Sequence, residues 1–333
     1  MKYASKKICA LVACLFSFTQ ALHGAITLSI NYDFDAQNFF GGGDGATKKA
    51  ALEAAALDLQ TILTDELTAM VPPDGTDVTE WSITGLHPGI DVDTVGTFET
   101  DPTIPANTLR IYAGGRSLDP GVLGVGGPGG FTIGGGFASA VRDAFEENIR
   151  SRGETGMTNG TGEYLATRTD VAPWGGTISF DNDGSTSWHY DHTTDPSGSK
   201  IDFYSVALHE LMHVLGMGSA NSWTTKVVGG EFTGANSKIS NGGVNVTTYA
   251  VDGGAHWDQN TMSVTLAGAI AQEAVMDPDI GVDTRKILTN LDAMGLNDIG
   301  WDVSVTPVPE PSFYVTLAGL GLVGFGVARR RLS

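Results

Sequence analysis

Two histidines and a glutamate stand close together past the middle of the chain, in the run His209-Glu210-Leu211-Met212-His213. Residues four apart share one face of a helix, so both imidazoles could bind one metal ion with Glu210 beside it. A catalytic zinc takes three protein ligands and a water, whose pKa falls to about 7. Glu210 would accept that water's proton and pass it to a leaving amine. The run indicates metal-assisted hydrolysis, although it could also arise by chance on a core helix.

A helix must present these side chains. Asp202 stands where an N-cap residue belongs, and Gly216 stands where the chain would leave the helix in a left-handed conformation. We therefore predict one helix from Asp202 to Leu215.

The third ligand has to come from elsewhere in the chain. Of seven histidines, His23 falls in the predicted export signal and His87 in a distant Leu-His-Pro turn. His256, in the run Gly253-Gly254-Ala255-His256-Trp257, is the favoured ligand by elimination. A loop histidine without a metal is the alternative reading of His256. The other candidates for the third ligand are His189, His192 and Glu273. His189 and His192 could also bind a second metal ion or no metal.

The run DFYSVALHELMHVLG resembles the active-site helix of metzincin metallopeptidases, whose pattern is HExxHxxGxxH. The resemblance implies zinc ligands at His209 and His213, a general base at Glu210 and a turn at Gly216. The last position of the pattern is Ser219, which is a weak ligand. Leishmanolysin-like metzincins delay their third histidine by an insertion, and this spacing implies His256.

The resemblance extends from Ile26 to Val303 and is most specific from Asp202 onward. Ala274-Val275-Met276-Asp277-Pro278 resembles the Met-turn that underlies the metal in metzincins, although Met276 could also be ordinary core filling. GTISFDNDG resembles the edge strand above the cleft, and LTNLDAMGLNDIGW resembles the closing helix. The implied partner is a protein or peptide substrate, which could pair with the edge strand.

The expected fold is α+β, with a twisted mixed sheet. A metallopeptidase domain should span residues 25–305, with an N-terminal lobe at 25–218 and a smaller C-terminal lobe at 219–305 that carries the Met-turn. Hydrophobic periodicity predicts strands at Ile26–Asp33, Thr108–Ala113 and Gly176–Phe180, and helices at Ala46–Met70 and Ala138–Arg150.

Three further segments have weaker patterns. Gly121–Gly130 contains a GxGxxG run, but Pro128 interrupts it and no βαβ pattern surrounds it, so we predict a loop rather than a dinucleotide site. Gly218–Tyr249 is polar and predicts a long loop or hairpin. Thr289 and Asp292 predict a capping box for a last helix that runs through Met294 and stops at Gly295.

The two ends predict export and sorting. Residues 1–24 have the layout of a signal peptide, with a lipoprotein signal at Cys14 as the alternative. Residues 306–333 contain Pro-Glu-Pro, a short apolar stretch and three arginines, and they resemble the PEP-CTERM sorting signal of Gram-negative bacteria. The resemblance implies transient membrane anchoring and release or attachment at the cell surface by an exosortase. A plain C-terminal anchor is the alternative.

Composition limits the partners. The chain carries 19 basic and 38 acidic side chains, and its two terminal segments hold six of the basic ones but only one of the acidic ones. Such an acidic body argues against nucleic acid as a partner. Calcium could bind at Asp181, Asp183 and Asp191, although a solvated acidic turn is the favoured interpretation. A non-catalytic surface or matrix protein with a structural or vestigial zinc site is the alternative function.

Overall fold

The computed structural model describes residues 26–73, 80–91, 93–134, 139–153 and 171–305. The predicted signal peptide at 1–24 and the sorting segment at 306–333 lie outside these residues.

The fold is mixed α+β. The described strands are β1 (Thr27–Asn31), β2 (Glu80–Leu86), β3 (Val95–Thr100), β4 (Thr108–Arg116), β5 (Gly124–Pro128), β6 (Gly130–Gly134), β7 (Gly175–Asp181), β8 (Trp188–His189), β9 (Ile201–Asp202), β10 (Val227–Val228), β11 (Glu231–Phe232), β12 (Val246–Thr247), β13 (Met262–Val264) and β14 (Ala271–Glu273). The described α-helices are α1 (Gly45–Gln60), α2 (Ser139–Ser151), α3 (Phe203–Val214), α4 (Asn221–Thr224), α5 (Ala235–Ser240) and α6 (Asn290–Asp298).

A four-stranded sheet in the order β1-β4-β7-β5 supports the centre of the molecule. Its first three strands are parallel, and β5 pairs with β7 in the antiparallel direction. Helices α1 and α3 pack together and share a core with this sheet, in which Leu52, Leu59, Leu208 and Leu211 are fully buried. Among the described residues, no helix combines the length and the apolar character needed to cross a membrane.

A second, antiparallel sheet in the order β3-β2-β6 lies beside α2. Phe145 and Ile149 of α2 are buried, and they belong to a separate aromatic core that includes Trp81 and Trp174. Two of the three apolar positions that predicted α2 are therefore confirmed as buried, whereas the third, Val141, is exposed.

The helix that carries the His-Glu-His run forms as predicted. The Asp202 carboxylate accepts a hydrogen bond from the Ser205 amide at 3.2 Å, which satisfies an otherwise unpaired donor of the first turn. Arg285 contacts the same carboxylate at 2.7 and 3.0 Å. At the other end Gly216 has φ = +101°, a value that favours glycine.

The predicted first helix, Ala46–Met70, is too long. Helix α1 ends at Gln60, although Leu63, Leu67 and Met70 continue its apolar spacing and are buried. Tertiary hydrogen bonds replace helical ones in this segment, because Met70 exchanges two backbone bonds with Ile104, at 2.9 and 3.0 Å. Apolar spacing alone does not distinguish a helix from an extended segment that lies on the same core.

The prediction of the last helix is wrong at its end. Thr289 caps α6 through the Asp292 amide as predicted, but α6 continues through Gly295 to Asp298. A Cβ at Gly295 would lie 2.7 Å from Met217 and 3.0 Å from the Trp257 ring. The glycine therefore permits close packing and does not stop the helix.

The prediction of a loop for the glycine-rich stretch Gly121–Gly130 is also wrong. Residues 124–128, predicted as part of a loop, form the edge strand β5, and the predicted strand at 176–180 lies inside the sheet between β4 and β5. The edge position expected for GTISFDNDG is therefore wrong. Gly124 and Gly126 alternate on one side of β5, where α3 approaches so closely that any larger residue would collide with Glu210. No apolar alternation marks such a strand.

The polar segment after α3 contains short elements. The predicted loop or hairpin at Gly218–Tyr249 has α4, α5 and a small antiparallel sheet in the order β10-β11-β12. Phe232 and Trp223 stack there with ring centroids 4.4 Å apart. The segment is thus folded against the body of the protein, and it leads the chain to His256.

Candidate metal centre

Three histidines meet at the C-terminal half of α3. Their Nε2 atoms are separated by 2.9 Å (His209–His256), 3.1 Å (His209–His213) and 3.0 Å (His213–His256). They form the only group of three or more His, Cys, Asp or Glu side chains within metal-binding range in the part of the chain that the structure describes. Points this close together can each make a bond of about 2.0–2.1 Å to one ion.

The opposite ring nitrogen of each histidine has its own partner. His209 Nδ1 donates to the Val275 carbonyl at 2.8 Å, and His213 Nδ1 donates to the Met217 carbonyl at 2.8 Å. His256 Nδ1 contacts a carboxylate oxygen of Asp252. A neutral imidazole with its proton on Nδ1 has a lone pair on Nε2. Three such lone pairs point at one another, and a shared cation resolves that conflict, so the residues present fit a metal ion.

Burial keeps the two helical histidines neutral. Desolvation, followed by the rings of His213 and His256, holds the pKa of His209 well below its usual value. Desolvation, followed by His256, lowers the pKa of His213 to about 4. Both imidazoles are therefore uncharged at neutral pH, and the unprotonated Nε2 of each ring is available as a ligand.

Glu210 lies beside the triad and is only 5% exposed. Burial raises its pKa to about 8, and a hydrogen bond from the Gly126 amide partly offsets this effect. A bound cation in the triad would favour the charged form of the carboxylate. The group is thus poised to exchange a proton near neutral pH.

These opposite pKa shifts predict a stability maximum for the metal-free protein near pH 6.5. Below that pH, the unfolded state binds protons at two histidines that remain neutral when folded, so stability falls towards pH 4. Between about pH 6.5 and 8, the folded state still holds a proton on Glu210 that the unfolded state has lost, so stability falls as pH rises. Thermal unfolding of chelator-treated protein at a series of pH values measures this dependence. The Glu210→Gln variant should lose the decrease in stability between about pH 6.5 and 8. An identical decline in both proteins would contradict the assignment.

The loop that carries His256 is held by Asp252. The carboxylate of Asp252 accepts hydrogen bonds from the Gly254 and Ala255 amides at 2.9 and 3.0 Å while it contacts the ring of His256. Gly253 and Gly254 adopt φ values of +79° and +91° to make this tight turn. Asp252 was missed from the sequence; the only signal was its position four residues before His256.

Met276 is fully buried in a turn next to the triad. The Asp277 amide donates to the Ala274 carbonyl at 3.2 Å to close the turn, and Val275 within it accepts the bond from His209. The predicted turn at Met276 is therefore present and touches a candidate ligand.

The buried carboxylate of Asp292 joins this turn to the His256 loop. It accepts hydrogen bonds from the Val275 and Met276 amides at 2.7 and 3.2 Å and from the Trp257 indole at 3.1 Å. Sequence reasoning recognised Asp292 only as part of a helix cap and missed this role.

The rival ligands lie elsewhere. His189 Nε2 contacts the Thr194 carbonyl at 3.0 Å, and the His192 carbonyl accepts a bond from Arg285 at 2.7 Å. Glu273 pairs with Lys286 at 3.0 Å. Exposed Ser219 directs its hydroxyl to the His213 carbonyl at 3.4 Å. The structure thus brings His256, and none of these four, to the two helical histidines.

The acidic residues considered for calcium have local partners instead. Asp181 accepts from the Thr186 hydroxyl at 3.0 Å, Asp183 from the Ser185 amide at 2.7 Å and Asp191 from the Thr193 amide at 3.0 Å. These bonds are those of polar turns, so the structure adds no support for calcium.

The triad and Glu210 open into a cleft of about 690 Å³. Strand β5 forms one rim through residues 124–126, and the segment from Val275 to Ile280 forms another wall. A ligand in this cleft would contact the triad and the edge strand together.

In the described part of the chain, no strand pairs with the outer edge of β5. Two hydrogen bonds bracket its ladder with β7, from Gly129 N–H to the Gly175 carbonyl at 2.8 Å and from Asp181 N–H to the Leu123 carbonyl at 3.0 Å. Because bonded and non-bonded pairs alternate in an antiparallel ladder, the amides and carbonyls of Gly124 and Gly126 face away from β7. The Gly126 amide donates to Glu210, and the other three groups could bind an extended peptide.

Gly126→Ala is expected to displace β5 and to destabilise the protein by about 1–3 kcal/mol. The added methyl would lie 2.3 Å from the Glu210 carbonyl oxygen, a backbone atom of α3 that cannot move cheaply. Gly127→Ala on the same strand is the matched control, because nothing lies within 4 Å of its added methyl. Chemical denaturation compares the two variants, and equal stabilities would show that the close approach is not required.

Comparison with known proteins identifies one segment of the chain. Residues 307–331 match the PEP-CTERM protein-sorting motif. No curated protein and no solved structure matches the chain. The match confirms the predicted sorting segment, and it indicates recognition by exosortase-type machinery, export and sorting to the cell surface in systems of the Gram-negative type. The chain therefore carries a PEP-CTERM sorting signal behind a folded body with a candidate metal centre.

Proposed function

We propose that this protein is an exported zinc-dependent endopeptidase of the metzincin type. The observation that carries the proposal is the convergence of three Nε2 atoms at 2.9–3.1 Å from one another, next to the buried carboxylate of Glu210. Zinc suits a set of neutral imidazoles, and three protein ligands leave a position for water. The delayed third histidine, the turn at Met276 and the close of α3 at Gly216 support the metzincin assignment.

The residues of the chain divide the work of peptide hydrolysis. His209, His213 and His256 would hold the zinc, which supplies a Lewis acid and an acidified water when it is bound. Glu210 takes a proton from the attacking water and delivers it to the leaving amine. The outward amide and carbonyl of Gly124 and the outward carbonyl of Gly126 align the peptide backbone above the triad as an added antiparallel strand.

The alternative is a surface protein with a structural or vestigial zinc site. Structural zinc sites are closed by four protein ligands. In the described residues the triad has no fourth ligand of that kind, and it opens into a cleft of about 690 Å³ under a free strand edge. These features favour a catalytic site.

Metal removal tests the proposal. Chelation should abolish cleavage of an unfolded protein such as casein and lower the thermal unfolding midpoint, because a ligand that binds only the folded state stabilises it. One equivalent of zinc should restore both. If the purified protein contains stoichiometric zinc but cleaves no unfolded protein, the structural-site alternative is correct.

A further inference from the structure

A second pocket continues from the cleft beyond the C-terminal end of β5. Its volume is about 210 Å³, and it lies between the end of β5, the segment at 171–174 and the start of α4. Ser219 lines both this pocket and the main cleft, so the two spaces adjoin. We call it the α4 pocket.

The lining of the α4 pocket is mainly apolar, and its polar side chains are those of Arg150, Ser219, Asn221 and Ser222. Phe131 and Pro128 come from the β5–β6 region, and Val171 and the buried Trp174 come from the irregular segment that leads into β7. Asn221 closes the side formed by α4. A space of this size and character accommodates one large apolar side chain.

The direction of β5 decides which part of a substrate reaches this pocket. A peptide paired antiparallel to β5 has its N-terminal residues near the C-terminal end of β5. Glu210 lies against Gly124 and Gly126, so the bond to be cleaved lies opposite those residues. With the first residue before that bond opposite Gly126, the third lies opposite Pro128, which lines the α4 pocket and is two residues, or about 7 Å at about 3.4 Å per residue, farther along β5.

We infer that the α4 pocket binds a large apolar side chain, aromatic or branched aliphatic, of the third substrate residue before the cleaved bond. This inference rests on the proposed endopeptidase activity and names a specificity determinant of that activity. The segment that follows α3 then has two roles: it brings His256 to the triad, and through Ser219 and Asn221 it builds one wall of a substrate pocket.

The test uses peptides that the protein itself selects. One peptide from a digest of casein is synthesised with phenylalanine or glycine at each of the second, third and fourth residues before its cleaved bond. We expect kcat/KM to favour phenylalanine over glycine by about tenfold at the third residue only. Asn221→Phe, which fills the pocket, should reduce that ratio to about two or less. Asn221→Ala, the matched control, should keep the preference.

Each of the other outcomes contradicts either the inference about the pocket or the proposed function. Equal rates for phenylalanine and glycine at all three positions would overturn the inference, as would a preference that Asn221→Phe leaves unchanged. A preference that appears only after the cleaved bond and is lost in Asn221→Phe would show that the peptide runs in the opposite direction, which also overturns it. In these cases the wild type still cleaves peptides, so the proposed function survives. Failure of the wild type to cleave any peptide would instead refute the proposed function, and the inference with it.

Discussion

Glu210→Gln is expected to retain one equivalent of zinc and to lose at least about 100-fold in kcat/KM for peptide hydrolysis. The amide has nearly the shape of the carboxylate but cannot accept a proton, and general base catalysis contributes about 10²–10⁴ in rate. Because Glu210 is not one of the three converging ligands, metal content should not change. Kinetics on a selected peptide and metal analysis of the same sample measure the two effects.

Glu66→Gln is the matched control for this prediction. Glu66 is exposed, on the segment that follows α1, and it does not line the cleft. It should retain full activity. If Glu210→Gln also retains full activity, Glu210 is not the base and the proposed mechanism is wrong.

His256→Ala is expected to weaken zinc binding by about 100-fold or more and to abolish hydrolysis. Loss of an outer-shell partner alone typically costs 10–100-fold in metal affinity, and removal of a direct ligand should cost at least as much. Free zinc at about 100 times the dissociation constant stabilises the wild type by about 2.7 kcal/mol. His256→Ala should lose most of that increment, which thermal unfolding with and without zinc measures.

Asp252→Asn should weaken zinc binding less than His256→Ala does. It keeps the shape of the residue that contacts His256 Nδ1 but removes its charge, so zinc affinity should fall by about 10–100-fold. His192→Ala should match the wild type, because the contact of His192 with Arg285 is made by its backbone carbonyl. Wild-type affinity in His256→Ala, or the same loss in His192→Ala, would contradict the role of His256.

Local signals were enough to predict the helix and the two candidate ligands on it. The Asp202 cap, the four-residue spacing of His209 and His213, and the left-handed Gly216 all depend on residues within about one turn of each other. His256 was reached by elimination among seven histidines and by resemblance, and the structure brings it to within 3.0 Å of His213.

The other features of the fold and the site depend on contacts between residues that are distant in sequence. Strand β5 lacks apolar alternation because its glycines face α3, and that approach is invisible in the sequence. Helix α1 ends early because Met70 pairs with Ile104 across the chain. Asp292 forms a helix cap locally, but its bonds to the Met276 turn and to Trp257 require the folded core. Close packing determined the first of these cases, and tertiary hydrogen bonds determined the other two.

The most direct test is a crystal structure with an anomalous difference map measured on both sides of the zinc absorption edge. The proposal predicts one strong peak that appears only above the edge, at about 2.0–2.1 Å from the Nε2 atoms of His209, His213 and His256. A map of zinc-loaded protein with no peak there, or one in which His256 points away and no other side chain completes the cluster, would contradict the account.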